Sequence, residues 1–223
     1  MLGLLAPTLV ALAAARLCGG TLRGLMSTRV RGWPAIVVAF GLELVLYNPP
    51  LDGLEWARAV GPWLWLAARL VFVAVLVWNG WGDTRVAWPW RIAAAGVALN
   101  TLVITLNGGH MPQSLDAARA VWGASQIDPA RLQNVSTMAA DTRLAWLGDV
   151  IAEPAWLPRR NVVSIGDLLL AAGVAAWVFC AMRPDLRRAT IGSRIGKSDR
   201  WSRTTPLARS EVRRFFASNL WYR

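Results

Sequence analysis

Residues 92–106 read Ile-Ala-Ala-Ala-Gly-Val-Ala-Leu-Asn-Thr-Leu-Val-Ile-Thr-Leu, and the six that follow are Asn107-Gly-Gly-His-Met-Pro112. The run contains no charged residue, and as a helix it would be about 22 Å long at about 1.5 Å per residue. That length approaches the thickness of the hydrocarbon core of a bilayer, about 30 Å. The paired glycines and the proline are typical of a helix C-terminus. This stretch therefore predicts a membrane helix that leaves the lipid near Asn107.

Similar apolar runs lie on both sides of it. The chain has 223 residues, 55% of them hydrophobic, and a mean hydropathy of +0.38. Its 14 Trp residues suit a membrane protein, because indole rings favour the headgroup level. We therefore predict an all-α integral membrane bundle of about five transmembrane helices; a soluble bundle of very apolar helices is the alternative. The predicted spans are about 1–17, 34–48, 62–79, 92–107 and 163–182.

The distribution of basic residues predicts the orientation of these helices. Arginines are frequent in the 16–31 loop, there is one in the 49–61 loop and two in the 80–91 loop, and the 183–223 tail has about eleven Lys and Arg. Basic residues in short flanks stay on the cytoplasmic side. We therefore predict an N-out/C-in protein of the bacterial cell (inner) membrane. Its transmembrane domain covers 1–182, with an extracytoplasmic segment at 108–162, and its basic tail is cytoplasmic.

The formal net charge of +11 comes largely from that tail. The bilayer is the main expected partner, anionic lipid headgroups are expected at the tail, and another membrane protein is a further candidate. No nucleic acid partner is expected. His110 is the only histidine, and Cys18 and Cys180 both fall near cytoplasmic helix ends, so neither a metal site nor a disulfide is predicted. No Gly-rich phosphate loop follows a strand, and no cofactor is expected.

Two charged residues and one amide lie well inside the predicted spans. Glu43 and Arg69 each lie roughly 8–10 Å below the outer end of neighbouring antiparallel helices. Charges in the membrane tend to pair, so we predict a Glu43–Arg69 ion pair, the alternative being that each snorkels or pairs elsewhere. Asn100 is more typical of a hydrogen bond between helices than of a ligand contact.

A polar cluster is predicted at the outer face. Asp149 and Asp167 are 18 residues apart, and two carboxylates that share a site can separate their pKa values and act as acid and base. Alternatively, Asp149 caps a helix or pairs with Arg143 or Arg159, and Asp167 is a polar anchor between helices. The other predicted members of the cluster are Asn107, His110, Asn161 and Ser164, the last two being candidate helix caps.

The extracytoplasmic segment contains two further candidate elements. Ser114–Trp122 and Asp128–Trp146 each have a pattern compatible with a short amphipathic helix.

Five fragments of the sequence resemble a family of bacterial multi-pass membrane proteins that is filed as a domain of unknown function. The likeness extends over roughly residues 1–182 and implies an integral membrane location, with no implied activity. The fragments are Cys18-Gly-Gly-Thr-Leu22, Arg31-Gly-Trp33, Asn107-Gly-Gly-His-Met-Pro-Gln-Ser114, Leu147-Gly-Asp149 and Asn161-Val-Val-Ser-Ile-Gly-Asp167.

The last of these fragments also resembles, more weakly, the entry to the final helix of the lipoprotein signal peptidase, a membrane aspartic protease. By that likeness Asp149 and Asp167 would be the catalytic dyad, and Asn161 an orienting amide. The peptidase has four spans, against five predicted here, and its Asn and Asp are three positions apart, against six here. Its Asn-Leu-Ile-Asp-Arg stretch is absent from this chain.

Three functions follow from these patterns. The first is a structural subunit or small sensor with an outward polar cluster. The second is a membrane-embedded aspartic hydrolase that uses Asp149 and Asp167. The third is a small-solute carrier in which Glu43, Arg69 and Asn100 line a path, although no inverted repeat supports transport.

Overall fold

The structure, a computed structural model, describes residues 2–47, 54–81, 86–123, 134–158 and 160–183. The predicted basic tail lies outside the described residues beyond Arg183. The described part is mainly helical, and the predicted all-α membrane bundle is confirmed as a fold class. Its helices are α1 (Leu2–Leu17), α2 (Leu22–Met26), α3 (Trp33–Leu46), α4 (Glu55–Gly80), α5 (Ala87–Leu106), α6 (Leu115–Trp122) and α7 (Ile165–Met182).

Three of these helices are long and apolar enough to cross a membrane. They comprise Ala59–Gly80 of α4, Ala87–Leu106 and Ile165–Met182. Helices α1 and α3 are apolar but shorter, with 16 and 14 residues. At about 1.5 Å per residue they reach about 24 and 21 Å, less than a hydrocarbon core of about 30 Å. The count of five spans therefore stays a prediction.

Two helices begin earlier than their apolar runs. Helix α4 starts at Glu55, inside the predicted 49–61 loop, and a carboxylate in the first turn suits the positive end of the helix dipole. Helix α5 starts at Ala87 rather than Ile92. Pro89 is tolerated there because the first four N–H groups of a helix have no intrahelical acceptor.

The packing places α5 and α7 at the centre of the bundle. Helix α5 packs against α7 and α4, while α1 lies on α7 and α3 lies on α4. The backbones of α5 and α7 come close at Gly96, where a Cβ atom would collide with the carbonyl oxygen of Gly166. Small residues at such crossings let membrane helices approach closely.

Hydrogen bonds connect the helix ends at one end of the bundle. Asn79 at the end of α4 exchanges two with the backbone of Arg31, at 2.8 and 2.9 Å. The Nε of Arg91 donates to the carbonyl of Gly80 at 2.9 Å, and the N–H of Thr21 donates to Met182 at 2.8 Å. The N-terminus of α3, the start of α5 and the C-termini of α4 and α7 therefore share one end, which we call the arginine end. Its described cations are Arg16, Arg23, Arg29, Arg31, Arg91 and Arg183.

The opposite end is covered by the segment between α5 and α7, which contains short strands. Strands β1 (Met111–Gln113) and β2 (Val135–Thr137) are parallel, and β3 (Ile151–Ala152) and β4 (Val162–Val163) are antiparallel. The predicted helix Ser114–Trp122 is present as α6, with the Ser114 side chain as its N-cap. The predicted helix Asp128–Trp146 is wrong for 134–146, where β2 and a 3-10 turn (Ala145–Leu147) occur, and residues 128–133 lie outside the described residues. β-Branched Val135 and Thr137 favour the strand.

Candidate functional site

The N-terminus of α7 positions the Asp167 carboxylate. Ser164 is the N-cap, and its side chain accepts a hydrogen bond from the Asp167 N–H at 3.0 Å. In return, Asp167 Oδ2 accepts from the Ser164 N–H at 3.0 Å and from its hydroxyl at 2.9 Å. This is a reciprocal capping box, in which both side chains satisfy N–H groups that the helix leaves free. The candidate cap Asn161 does not have this role.

Asn100 connects this cap to α5. Its Nδ2 donates to Asp167 Oδ1 at 2.9 Å, and its Oδ1 lies 2.9 Å from the Ser164 hydroxyl, whose one hydrogen is shared between this oxygen and Asp167 Oδ2. The amide therefore makes the interhelical hydrogen bond predicted from the sequence, and Asp167 also anchors α7 to α5. A Cβ atom on Gly166 would collide with Asn100 Oδ1, so the residue beside Asp167 has to be glycine.

Asp149 is held by its backbone beside the first strand. Its N–H donates to Pro112 at 2.8 Å, and its carbonyl accepts from Ser114 at 2.9 Å. The residue is 9% exposed, and among the described residues no hydrogen bond or ion pair engages its carboxyl group. Burial, followed by the negative charge of Asp167, raises the pKa of Asp149 to about 8, while the charge of Arg69 lowers it. Asp149 is thus electrostatically coupled to both Asp167 and Arg69, and it holds a proton near neutral pH.

Glu43 and Arg69 lie on neighbouring helices α3 and α4. Arg69 Nη2 lies 3.4 Å from Glu43 Oε1, and both side chains are about one-fifth exposed. The guanidinium also stacks over the Trp65 ring, 4.9 Å from its centroid. The structure thus brings the predicted ion pair together, although one contact at 3.4 Å is looser than a bidentate pair.

A cavity of about 320 Å³ lies between α1, α3, α4 and α7. Three of its lining residues are charged: Glu43, Arg69 and Asp167. The other lining side chains are nearly all apolar. They are Leu5, Thr8, Ile36, Ala39, Phe40, Ala68, Phe72, Leu170, Ala171 and Val174.

The remaining predicted members of the outer cluster do not meet at this cavity. Asn107 binds the backbone of Arg143 through both its amide nitrogen and its oxygen, at 2.9 and 3.0 Å, and so fixes the loop that leads to Asp149. Asn161 pairs through its backbone with Glu153. His110 is half-buried, and its backbone N–H donates to Asn107 at 3.4 Å.

Two residues near the site were not predicted as site residues from the sequence. Tyr47 and Trp65 pack edge to face, with ring centroids 5.9 Å apart, beside Arg69. Their spacing carried a signal, because Tyr47 lies four residues after Glu43 and Trp65 four before Arg69. Residues at i and i+4 share a helix face.

Comparison with known sequences gives the chain a family. The model of a "Family of unknown function (DUF5317)" matches residues 27–179, which include α3 to α6 and most of α7. The chain belongs to the DUF5317 family. This confirms the resemblance to a family of unknown function, although the match begins after α1 and leaves out the Cys18–Leu22 fragment.

One protein of similar sequence comes from Thermotoga maritima. An uncharacterized protein of Thermotoga maritima is 30% identical over 142 residues, which are 60% of this DUF5317 chain and 73% of that protein. No solved structure matches the chain.

Proposed function

We propose that this protein holds an amphipathic, lipid-like molecule in the cavity between α1, α3, α4 and α7. The observation that carries the proposal is the lining of that cavity, in which three charged side chains lie among apolar ones. Its volume of about 320 Å³ falls at the lower end of ligand-binding cavities, about 300–1,000 Å³. Such a binding protein is one form of the membrane subunit or small sensor that the sequence predicts.

The two ends of the cavity differ in polarity along the helix axes. Ile36 precedes Glu43 by seven residues on α3, and Val174 follows Asp167 by seven on α7. At about 1.5 Å per residue, the apolar lining extends about 10 Å from the charged side chains towards the arginine end. An acyl chain would occupy this apolar part, and a headgroup would meet the charges. Asn100 is not among the lining residues, so the lining does not support the polar path of a carrier.

Membrane placement is part of the proposal. Exposed tryptophans occur near both ends of the helices: Trp33, Trp78, Trp81 and Trp88 near the arginine end, and Trp56, Trp63, Trp146 and Trp156 near the other. Two such belts are typical of a protein whose helices span between two interfaces. We propose a multi-pass bacterial cell-membrane protein with five spans, N-out/C-in, whose basic tail contacts anionic lipid headgroups. A membrane protein partner stays a prediction.

Labelling of a native cysteine tests this orientation. Cys18 is exposed at the arginine end, whereas Cys180 is buried. We expect a membrane-impermeant maleimide to leave intact spheroplasts unlabelled and to label Cys18 in inverted vesicles. The variant Cys18→Ser should remove the signal. Labelling of Cys18 in intact spheroplasts would contradict the orientation.

Filling the cavity tests the binding function. Ala68 lines the cavity, and its neighbour Ala67 is exposed and is not among the lining residues. We expect Ala68→Phe to weaken binding of a short-chain lipid at least tenfold, because the added ring occupies the space of the acyl chain. The matched variant Ala67→Phe should bind as the wild type does, with binding measured by equilibrium dialysis of detergent-solubilised protein. Equal binding by both variants would refute the proposal.

A second candidate is the membrane-embedded aspartic hydrolase. It is favoured by the coupling of a proton-holding Asp149 to the charge of Asp167. A carboxylic acid and a carboxylate that face one substrate can protonate a leaving group and activate a water molecule. Asp167, however, already accepts hydrogen bonds from the Ser164 N–H and the Asn100 amide and shares the Ser164 hydroxyl, which makes it better suited to anchoring than to proton transfer.

A further inference from the structure

We infer that the molecule in the cavity has an uncharged headgroup rich in hydrogen-bond-accepting oxygens, as an acylglycerol has, and that Tyr47, Trp65 and Arg69 donate to it. This inference rests on the proposed binding function and adds the class of ligand.

Three neighbouring side chains, one of which lines the cavity, each carry a buried donor without a partner in the described residues. The Tyr47 hydroxyl, Trp65 Nε1 and Arg69 Nε are each closed off from solvent and make no hydrogen bond in the described part of the chain. Trp65 is only 3% exposed. Its ring contacts both Tyr47, with centroids 5.9 Å apart, and the Arg69 guanidinium, 4.9 Å from its centroid. The three side chains therefore form one group: Arg69 lines the cavity. Tyr47 and Trp65 lie about one helical turn beyond it, four residues from Glu43 and from Arg69.

The chemistry of these atoms identifies the missing partner as an acceptor. Indole and guanidinium nitrogens can only donate hydrogen bonds, and a phenol donates readily. A buried donor without an acceptor is unfavourable, and ester, hydroxyl or amide oxygens would remove that cost. The neighbouring Glu43–Arg69 contact, at 3.4 Å, is loose enough to be exchanged for a ligand oxygen.

The charges at the cavity argue for an uncharged headgroup. Two carboxylates, Glu43 and Asp167, face one guanidinium, Arg69. A phosphate would be repelled by the two carboxylates, since like charges in a poorly solvated site are unfavourable. An ammonium group would be attracted but could not accept from the three donors. A glycerol backbone with ester carbonyls and a free hydroxyl carries no charge and offers acceptor oxygens to the three donors.

The test compares three lipids on the full-length protein in detergent micelles. The probes are dioctanoylglycerol, dioctanoyl phosphatidic acid and dioctylamine, which have similar chains and differ in headgroup charge. We expect dioctanoylglycerol to bind at least tenfold more tightly than the other two. Trp65→Phe and Tyr47→Phe, which each remove one donor and keep an aromatic ring, should weaken its binding about three- to tenfold.

Trp177 provides the matched control. Its Nε1 is also buried without a partner in the described residues, but it packs against Trp90, with ring centroids 5.0 Å apart, towards the arginine end. Trp177→Phe should therefore leave dioctanoylglycerol binding unchanged, with melting curves used to show that each variant is folded. Two results would overturn the inference. The first is that dioctanoylglycerol binds no more tightly than the charged lipids. The second is that the folded Trp65→Phe and Tyr47→Phe variants bind dioctanoylglycerol as tightly as the wild type does. The second result would mean that water, and not the lipid, accepts the hydrogen bonds of these donors.

The cavity variant separates this inference from the proposed function. If Ala68→Phe abolishes binding of all three lipids while the donor variants have no effect, the binding function stands and the headgroup inference falls. If Ala68→Phe has no effect, or if none of the three lipids binds, both fall.

Discussion

Gly96→Ala is expected to lower the free energy of unfolding by about 3 kcal/mol, the upper part of the usual range for overpacking. The added Cβ atom would collide with the carbonyl oxygen of Gly166 and lie 2.7 Å from the Leu170 nitrogen. Both are backbone atoms of α7, so relief requires the two central helices to separate. Separation would also stretch the hydrogen bonds of Asn100, one turn further along α5. Thermal unfolding in detergent, followed by size-exclusion chromatography, measures the loss.

Gly41→Ala is the matched control, because it is the same substitution in another apolar helix. A Cβ atom at Gly41 in α3 would have nothing within 4 Å. Alanine favours a helix over glycine by up to about 1 kcal/mol, so this variant should melt at or above the wild-type temperature. If the two variants melt at the same temperature, the close α5–α7 crossing is not a source of stability.

The long helices were predictable because the bilayer imposes a simple rule on the sequence. Crossing lipid requires a long run with few charges, and such runs mark α4, α5 and α7 well. The Glu43–Arg69 contact and the interhelical bond of Asn100 followed from the same physics, since polar groups inside a membrane need partners. The bounds were less predictable, because α4 and α5 begin several residues before their apolar runs.

The outer segment could not be read from the sequence in the same way. Its strands have only two or three residues, too few to establish a period of two against the pattern of a short helix. The partners of Asn100 could not be predicted for another reason. Ser164 and Asp167 are 64 and 67 residues away in the sequence, and pairing across that separation depends on the packing of α5 on α7. The same is true of the strand that fixes Asp149.

Asp149→Asn is expected to make the protein more stable at pH 8 than the wild type, with a much smaller difference at pH 4.5. The ordinary pKa of 3.8 applies to the unfolded chain, and burial together with Asp167 raises the folded pKa of Asp149 to about 8. Below about pH 4 the carboxyl is protonated in both states and has no effect. Between about 4 and 8 the folded state binds a proton that the unfolded state releases, so stability falls as pH rises through this window. The amide does not titrate, and by pH 8 the expected difference is a few kcal/mol.

Melting temperatures measured from pH 4.5 to pH 8.5 check this expectation. Asp116→Asn is the control, because that carboxylate is 94% exposed on α6 and its ion pair in the described residues is a surface contact with Arg119. Its curve should run parallel to that of the wild type, since surface ion pairs contribute little. A parallel curve for Asp149→Asn would show that the folded state does not favour the protonated carboxyl.

The same variant decides between the two proposed functions. Asp149 does not line the cavity, so a binding protein that carries Asp149→Asn should take up dioctanoylglycerol and complement a deletion strain as the wild type does. A hydrolase would lose its proton-holding acid, because an amide cannot donate a proton in the same way. Failed complementation by a variant that binds lipid normally and melts higher at pH 8 would therefore favour the hydrolase. Destabilisation cannot be the cause of such a failure, because the substitution raises stability.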